Sequence, residues 1–271
     1  MTNTQLMLDV VELAKAAGDL IMSFYKKADL HVESKSDSTL LTEADEAADA
    51  FIHEALAKLT PDIPVLSEES ANIPYKQREQ WSVYWLVDPL DGTRDFVEQT
   101  DDFTVNIALV EHSKPVLGVV HAPARGLTFW GAESMGSFAQ TQDGSVMSAA
   151  TRSYARQDAV MLGSRRSSGK KWQAFHQALG EPRIERYGSA LKVCLVCVGE
   201  ADVYPRFGPT SEWDTAASQI IIEQAGGALL DTQMRPLQYN KKASLRNPYF
   251  IAVGDVSVNW QQAMDAALSD E

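Results

Sequence analysis

The 271-residue chain has an ordinary globular composition, with 45% hydrophobic residues, and is long enough to bury one large core or two modest ones. Its 37 acidic and 24 basic residues give a net charge of −13, which disfavours nucleic acid and anionic membranes as partners because both would be repelled. A site for an anionic ligand would therefore need local cations.

The N-terminus has no charged segment before its apolar run, and no run of the sequence reaches the length of a membrane span. We therefore expect a cytoplasmic protein, with peripheral association at the inner membrane left open. A monomer and a homodimer are equally compatible with the sequence.

Helical periodicity marks the first predicted elements. Apolar residues from Leu6 to Phe24 recur at helical spacing and predict an amphipathic helix over 4–27. A similar stripe predicts a second helix over 43–59, and the apolar start of 63–70 indicates a short strand that ends in acidic residues.

The pattern then changes to that of strands. Residues 84–96, YWLVDPLDGTRDF, combine a run suited to a buried strand with two aspartates directly behind it. Two strands are predicted within 103–123, and the segments 127–133 and 137–149 continue a hairpin-connected antiparallel sheet. We assign residues 1–152 to an N-terminal α+β subdomain.

Strands and helices alternate in the second half of the chain. The predicted order is strand 159–164, helix 170–179, strand 183–188, helix 189–198, strand 202–207, helix 213–227 and strand 249–253. This alternation indicates a layered α/β subdomain, which we place at residues 153–271. No linker separates the halves, so we expect them to pack together with a cleft between them.

The only two cysteines, Cys194 and Cys197, form a C-x-x-C pair within a predicted helix. No second thiolate or histidine pair stands nearby to complete four zinc ligands. We interpret them as two apolar helix positions.

Four acidic residues stand where strands or loops run into turns or helices: Glu68, Asp88, Asp91 and Asp214. Each alone is explained equally well by a solvated turn or by the positive end of a helix dipole. The combination 88-DPLDGT-93 indicates more, because its oxygen ligands suit Mg²⁺ and a helix start after Gly92 suits phosphate.

Other phosphatase and cation-binding chemistries fit less well. An aspartyl-phosphate enzyme of the haloacid dehalogenase type would have its aspartates two apart rather than three. The segment 88–99 lacks the alternating ligands of an EF-hand, and neither a G-x-S-x-G motif nor a Walker A loop is present.

Five motifs resemble, in order and over nearly the whole chain, the inositol monophosphatase superfamily of magnesium-dependent, lithium-sensitive phosphatases. They are 41-LTEAD-45, 65-VLSEES-70, 85-WLVDPLDGT-93, 213-WDTAA-217 and 225-AGG-227. The resemblance implies a combined α+β and α/β fold, the five-layered α-β-α-β-α sandwich of the inositol monophosphatase and fructose-1,6-bisphosphatase type.

The same resemblance assigns roles by motif position. It implies that two to three Mg²⁺ ions are held by Glu68, Asp88, Asp91, Asp214 and the carbonyl of Leu90. It places Gly92 and Thr93 at the scissile phosphate and Asp45 beside the Thr93 hydroxyl, where the pair would orient or deprotonate a water nucleophile. Either glutamate of 67-SEE-69 could turn inward, and the family motif places the ligand first, at Glu68.

Two further segments are similar to those of bacterial 3′(2′),5′-bisphosphate nucleotidases: 188-GSALKVCLV-196 and 203-VYPRFGPTSEWDTAA-217. This similarity implies hydrolysis of the 3′-phosphate of adenosine 3′,5′-bisphosphate, a by-product of sulfate assimilation, with Ser189, Lys192 and Arg206 contacting the nucleotide and its second phosphate. Arg165 and Arg166 would add to the same patch.

Other roles for these two cations, and other functions for the chain, stay open at this point. Lys192 could be a solvated helix charge and Arg206 a surface arginine. An inositol or sugar phosphatase of the same superfamily, and a non-catalytic regulator that binds a phosphorylated metabolite, are the alternative functions.

Overall fold

The computed structural model describes residues 3–25, 32–34, 40–165 and 167–269, and within these ranges the chain forms eight α-helices and fourteen β-strands. The helices are α1 (Asn3–Phe24), α2 (Glu43–Leu59), α3 (Tyr75–Arg78), α4 (Thr93–Val97), α5 (Lys170–Ala178), α6 (Leu191–Cys197), α7 (Ala216–Gln224) and α8 (Gln261–Leu268). The strands are β1 (Val32–Ser34), β2 (Leu40–Thr42), β3 (Val65–Ser67), β4 (Val83–Asp91), β5 (Thr104–Glu111), β6 (Lys114–Ala122), β7 (Leu127–Ala132), β8 (Gly136–Gln140), β9 (Val146–Ser148), β10 (Val160–Gly163), β11 (Arg183–Arg186), β12 (Val203–Arg206), β13 (Ala228–Asp231) and β14 (Phe250–Val253).

The larger sheet has seven strands in the order β3-β4-β5-β6-β7-β8-β9. Only the β3–β4 pair is parallel, and the remaining pairs are antiparallel neighbours in sequence. The predicted hairpin-connected sheet is therefore confirmed. Helices α1 and α2 cover one face, where buried side chains such as Val10 and Ile52 pack with Val87 and Ile107.

The smaller sheet has five strands in the order β11-β10-β12-β14-β13. Strands β11, β10 and β12 are parallel, and β14 is antiparallel to both of its neighbours. Its outer face packs against α5 and α8 through Phe175 and Met264.

Helices α6 and α7 form the layer between the two sheets. The central core combines α6 residues such as Cys194 with Leu86 and Val120 of the larger sheet and with Leu162 and Ala252 of the smaller one. The layers follow as α1/α2, seven strands, α6/α7, five strands and α5/α8. The predicted five-layered α-β-α-β-α sandwich is confirmed.

Several element boundaries differ from the prediction. The helix predicted over 189–198 begins at Leu191. Ser189 has a φ of 42°, which lies outside the range of a right-handed helix, so the helix cannot include it. The helix predicted over 213–227 opens with a 3₁₀ turn, Glu212–Asp214, before α7 begins at Ala216. Strand β13 and helix α8 were not predicted, and residues 26 and 27 of the first predicted helix lie outside the described ranges.

The subdomain boundary predicted at residues 152 and 153 stays a prediction. It falls between β9, which ends at Ser148, and β10, which begins at Val160. Among the described helices, none has both the length and the apolar character needed to cross a membrane.

Candidate active site

A bulge in β4 sets the direction of the two aspartates that follow its apolar run. Asp88 pairs with Asn106 of β5 and Asp91 pairs with Thr104, so three steps along β4 match two along β5. Residues three apart in a regular strand point to opposite faces, and one extra residue restores a common face. Pro89 lies within the bulge, where its missing N–H costs no ladder hydrogen bond.

Three carboxylates from separate segments converge beside this bulge. Ligand oxygens of Glu68, Asp88 and Asp214 all lie within 4.8 Å of one another. Glu68 opens a 3₁₀ turn directly after β3, the parallel neighbour of β4, and Asp214 ends the 3₁₀ turn before α7. A capping box fixes that second turn, because the Ser211 N–H donates to Asp214 Oδ2 at 2.9 Å.

The electrostatics of this group require a positive partner. Burial raises the pKa of Asp88 well above its usual value, and repulsion from Glu68 and Asp91 adds to the effect. Burial, followed by repulsion from Asp91, raises the pKa of Asp214 to about 8. Asp88 Oδ2 is buried and has no hydrogen-bond partner among the described residues. An orphaned carboxylate oxygen within an all-oxygen cluster fits a hard divalent cation.

Asp91 lies outside that group of three and is held differently. Its Oδ2 accepts the N–H of Ala190 at 2.7 Å and the amide of Asn106 at 3.4 Å. Burial raises its pKa, whereas the nearby charge of Lys192 opposes the shift. Asp91 therefore joins the bulge of β4 to the turn before α6.

Asp45 and Thr93 lie close to each other, as the motif resemblance implies. Asp45, in the first turn of α2, is 3% exposed. The Thr93 hydroxyl lies 3.5 Å from Asp45 Oδ2 and 3.2 Å from the carbonyl oxygen of Leu90. One hydroxyl proton can be donated to only one of these oxygens at a time.

Gly92 forms the turn between the bulge and α4. Its φ of 91° lies in the left-handed region that glycine adopts without steric cost. A Cβ at this position would also meet the carbonyl oxygen of Asp102 and the Cα of Phe103 at 3.4 Å. The turn brings Gly92 to the wall of the cleft described next.

One cleft of about 460 Å³ collects most of the predicted substrate residues. Its lining includes Asp91, Gly92, Ser189, Lys192, Arg206 and Asp214. The cations that an acidic chain would need for an anionic ligand therefore lie beside two of the predicted metal ligands.

Lys192 is not the solvated helix charge that its position allows. It is 3% exposed, its ammonium donates to the carbonyl of Ser189 at 2.6 Å, and it lies 5.2 Å from the ring centre of Tyr204. Burial lowers the pKa of Lys192 to about 8, although the charge of Asp91 opposes the shift. The alternative of a solvated charge is therefore excluded, because the first turn of α6 buries Lys192 near the carboxylate of Asp91.

Arg206, at the end of β12, is half-buried, and its Nη2 donates to the carbonyl of Pro209 at 3.0 Å. Its Nε is buried and has no hydrogen-bond partner among the described residues, and the same holds for the hydroxyl of Ser189. Both residues line the cleft.

Sequence reasoning missed several groups at this site. The Ala190 N–H and the Asn106 amide position Asp91, and Tyr204 lies against Lys192. No local pattern identifies a backbone N–H or an amide in mid-strand as a site component. Arg165 does line the cleft, as predicted, whereas Arg166 lies outside the described residues.

The two cysteines are buried and free in α6, and burial raises the pKa of both thiols. Both belong to the central core, and the prediction of apolar helix positions is confirmed.

Comparisons with known proteins agree with the fold. The model of the inositol monophosphatase family matches residues 3–264. The chain is 38% identical to the 3′(2′),5′-bisphosphate nucleotidase CysQ of Haemophilus influenzae, covering 96% of each chain, and 44% identical to that of Escherichia coli K12, covering 90% of this chain and 98% of the relative.

Among solved structures, CysQ from Bacteroides thetaiotaomicron, described as a bacterial member of the inositol monophosphatase family, superposes with a TM-score of 0.78 at 32% identity. The match covers 92% of this chain and 97% of that one. With the family model spanning nearly the whole length and two curated relatives above 30% identity, this chain belongs to the inositol monophosphatase family.

Proposed function

We propose that this chain is a magnesium-dependent phosphomonoesterase that removes the 3′-phosphate of adenosine 3′,5′-bisphosphate and releases AMP and phosphate. Relatives that are named 3′(2′),5′-bisphosphate nucleotidases match it over at least 90% of both chains. The structural observation that carries the proposal is the single cleft in which Asp91 and Asp214 adjoin Lys192 and Arg206. A substrate with two phosphates would use both sets of residues.

The donor set supports Mg²⁺ as the metal. The family is generally metal-dependent, and Glu68, Asp88 and Asp214 supply the oxygen ligands that hard cations prefer. We propose two to three ions, with Asp91 and the Leu90 carbonyl completing the ligands. Divalent cations bound there would supply positive charge that neutralises the phosphate and acidifies a water molecule.

Thr93 and Asp45 would accept the proton that the attacking water loses. When Thr93 donates its hydroxyl proton to Asp45 rather than to Leu90, its oxygen is free to accept a hydrogen bond from the attacking water. As the water transfers a proton to the Thr93 oxygen, the hydroxyl proton of Thr93 passes to the buried carboxylate of Asp45. The nucleophile in this proposal is water, so no side chain is phosphorylated.

The cations beside the metal ligands account for substrate selection. Hydrolysis of an inositol phosphate and of a nucleotide bisphosphate needs the same carboxylates, so preference must come from contacts to the rest of the substrate. We assign Arg206 to the phosphate that is not cleaved, and Ser189 and Lys192 to the wall that positions the nucleotide.

Product analysis tests the proposal. Adenosine 3′,5′-bisphosphate is incubated with the protein and Mg²⁺ in ¹⁸O-labelled water, and the products are identified by mass spectrometry. We expect adenosine 5′-phosphate and a phosphate that carries one ¹⁸O atom. Adenosine 3′-phosphate as the product, or unlabelled phosphate, would contradict the assigned bond and the water nucleophile.

The remaining expectations stay predictions. They are a small-molecule substrate rather than a nucleic acid, a monomer or homodimer, and a cytoplasmic location with peripheral association at the inner membrane as the alternative. Inhibition by Li⁺ follows from the family resemblance and is tested below.

A further inference from the structure

Asp102 is a fully buried carboxylate at the junction of the two halves of the chain. It lies between α4 and β5, and its relative exposure is 0%. In sequence it belongs to the polar run 99-QTDD-102, which is typical of a solvated loop. Its burial therefore requires partners, because an isolated carboxylate is costly to remove from water.

Three residues from distant segments satisfy this carboxylate. Arg125 donates to Oδ1 through Nε, at 2.9 Å, and through Nη2. Arg165 Nη2 donates to Oδ2, and the Gly188 N–H donates to the same oxygen at 3.0 Å. Arg125 comes from the larger-sheet half, whereas Arg165 and Gly188 come from the smaller-sheet half. One side chain thus ties both halves together beside the cleft.

The backbone around Asp102 is packed as tightly as its side chain. A Cβ at Gly188 would lie 2.6 Å from the Asp102 carbonyl oxygen and 2.9 Å from Asp95 Cγ, so only glycine permits this approach. Gly188 directly precedes Ser189 and Ala190, the turn that holds Asp91. The position of Asp102 is therefore fixed relative to the turn that lines the cleft.

Arg165 is the member of this cluster that reaches the cleft. It lines the cleft and its side chain is 40% exposed. Two carboxylates orient its guanidinium, since Nε also lies 3.5 Å from Asp95 Oδ1. Its Nη1 has no partner among the described residues, which leaves a donor edge for a ligand oxygen. A guanidinium held in this way loses little further entropy when it binds a phosphate.

We propose that Asp102 is a positioning residue for substrate selection, which holds Arg165 at the rim of the cleft so that its guanidinium binds the phosphate that is not cleaved. This inference rests on the proposed function and extends it, because it adds a second arginine to Arg206 at that phosphate.

Two variants and their combination test the inference. Arg165→Gln removes the cation, and Asp102→Asn removes its anchor, since an amide would face the arginines with a donor. For each, we expect kcat/KM for adenosine 3′,5′-bisphosphate to fall roughly tenfold, mainly through KM, with little change for adenosine 3′-phosphate. The double variant should lose no more than Arg165→Gln alone, because both changes remove the same contact.

Asp202→Asn is the matched control. Asp202 is also buried, at 2% exposure, and accepts two hydrogen bonds from Arg152 and one from the Val160 N–H, but it does not line the cleft. We expect it to lower the melting temperature as Asp102→Asn does and to leave the ratio of the two substrates unchanged.

The outcomes separate the possible failures. Equal losses on both substrates in Asp102→Asn, or an unchanged substrate ratio in Arg165→Gln, would overturn the inference. If the wild-type protein fails to hydrolyse the bisphosphate, the proposed function fails instead. A wild-type preference that survives Arg165→Gln intact contradicts only the role assigned to Asp102 and Arg165.

Discussion

Replacement of Asp88 by Asn separates the destabilisation that its buried carboxylate causes in the metal-free protein from its proposed role in binding metal. In the metal-free protein, Asp88 is buried beside Glu68 and Asp214, with one oxygen that has no partner among the described residues. The amide has the same size but carries no charge. We therefore expect the metal-free variant to be more stable than the metal-free wild type, although it loses turnover.

The magnitude follows from the separation of the charges. Two unit charges about 4.8 Å apart repel by roughly 3.5 kcal/mol at an effective dielectric constant of about 20. Because the pKa values of Asp88 and Asp214 are raised, protons already neutralise part of this charge at pH 7. A net gain of about 1–2 kcal/mol remains, which corresponds to a melting temperature higher by roughly 2–8 °C.

Thermal denaturation in EDTA and in Mg²⁺ measures both effects. Mg²⁺ should raise the melting temperature of the wild type by binding the folded state, and it should do so far less for Asp88→Asn. Asp202→Asn, which removes the charge of a buried aspartate paired with a partly exposed Arg152, should be destabilised under both conditions. A metal-free Asp88→Asn protein that melts well below the wild type would refute the reasoning, because Asp88 would then have a stabilising partner within the fold.

Three further outcomes are expected. Arg206→Ala should lower kcat/KM for the bisphosphate roughly ten- to hundredfold and affect adenosine 3′-phosphate far less, and Lys192→Ala should do the same; equal losses on both substrates would mean a structural role. Li⁺ at millimolar concentration should inhibit turnover at saturating Mg²⁺, and an unchanged rate would contradict the lithium-sensitive assignment. Burial lowers the pKa of His121 to about 4, so the unfolded state binds more protons than the folded state below about pH 6.5. The wild type should therefore lose about 2 kcal/mol more unfolding free energy than His121→Asn when the pH falls from 7 to 5. Chemical denaturation of both proteins at the two pH values measures this difference.

The long helices and strands could be predicted from the sequence, because their buried faces repeat at fixed spacing, whereas the order of the five layers came from the family resemblance. Short or weakly patterned elements escaped prediction. Helix α8 buries only Ala263, Met264 and Ala267, a stripe of mostly small side chains, and β13 has four residues directly after a Gly-Gly pair. Their structure depends on packing against α5 and β14 rather than on their own pattern.

Some residues of the candidate site could likewise be predicted from the sequence, and others could not. Glu68, Asp88 and Asp214 were singled out by their positions at the ends of strands and the starts of turns, and the family resemblance assigned them to metal; the structure brings the three together. The environment of Lys192 could not be predicted, because the carboxylate of Asp91 that lies near its ammonium is distant in sequence. Asp102 was missed for the same reason, since its partners are all distant in sequence.

Comparison of substrates tests the central claim most directly. Phosphate release by the wild type is measured from adenosine 3′,5′-bisphosphate, inositol 1-phosphate and fructose 1,6-bisphosphate at equal concentrations, in Mg²⁺ and again in EDTA. We predict that the adenosine bisphosphate gives the highest kcat/KM and that EDTA abolishes all three rates. A higher kcat/KM for either of the other substrates, or full activity in EDTA, would contradict a magnesium-dependent bisphosphate nucleotidase.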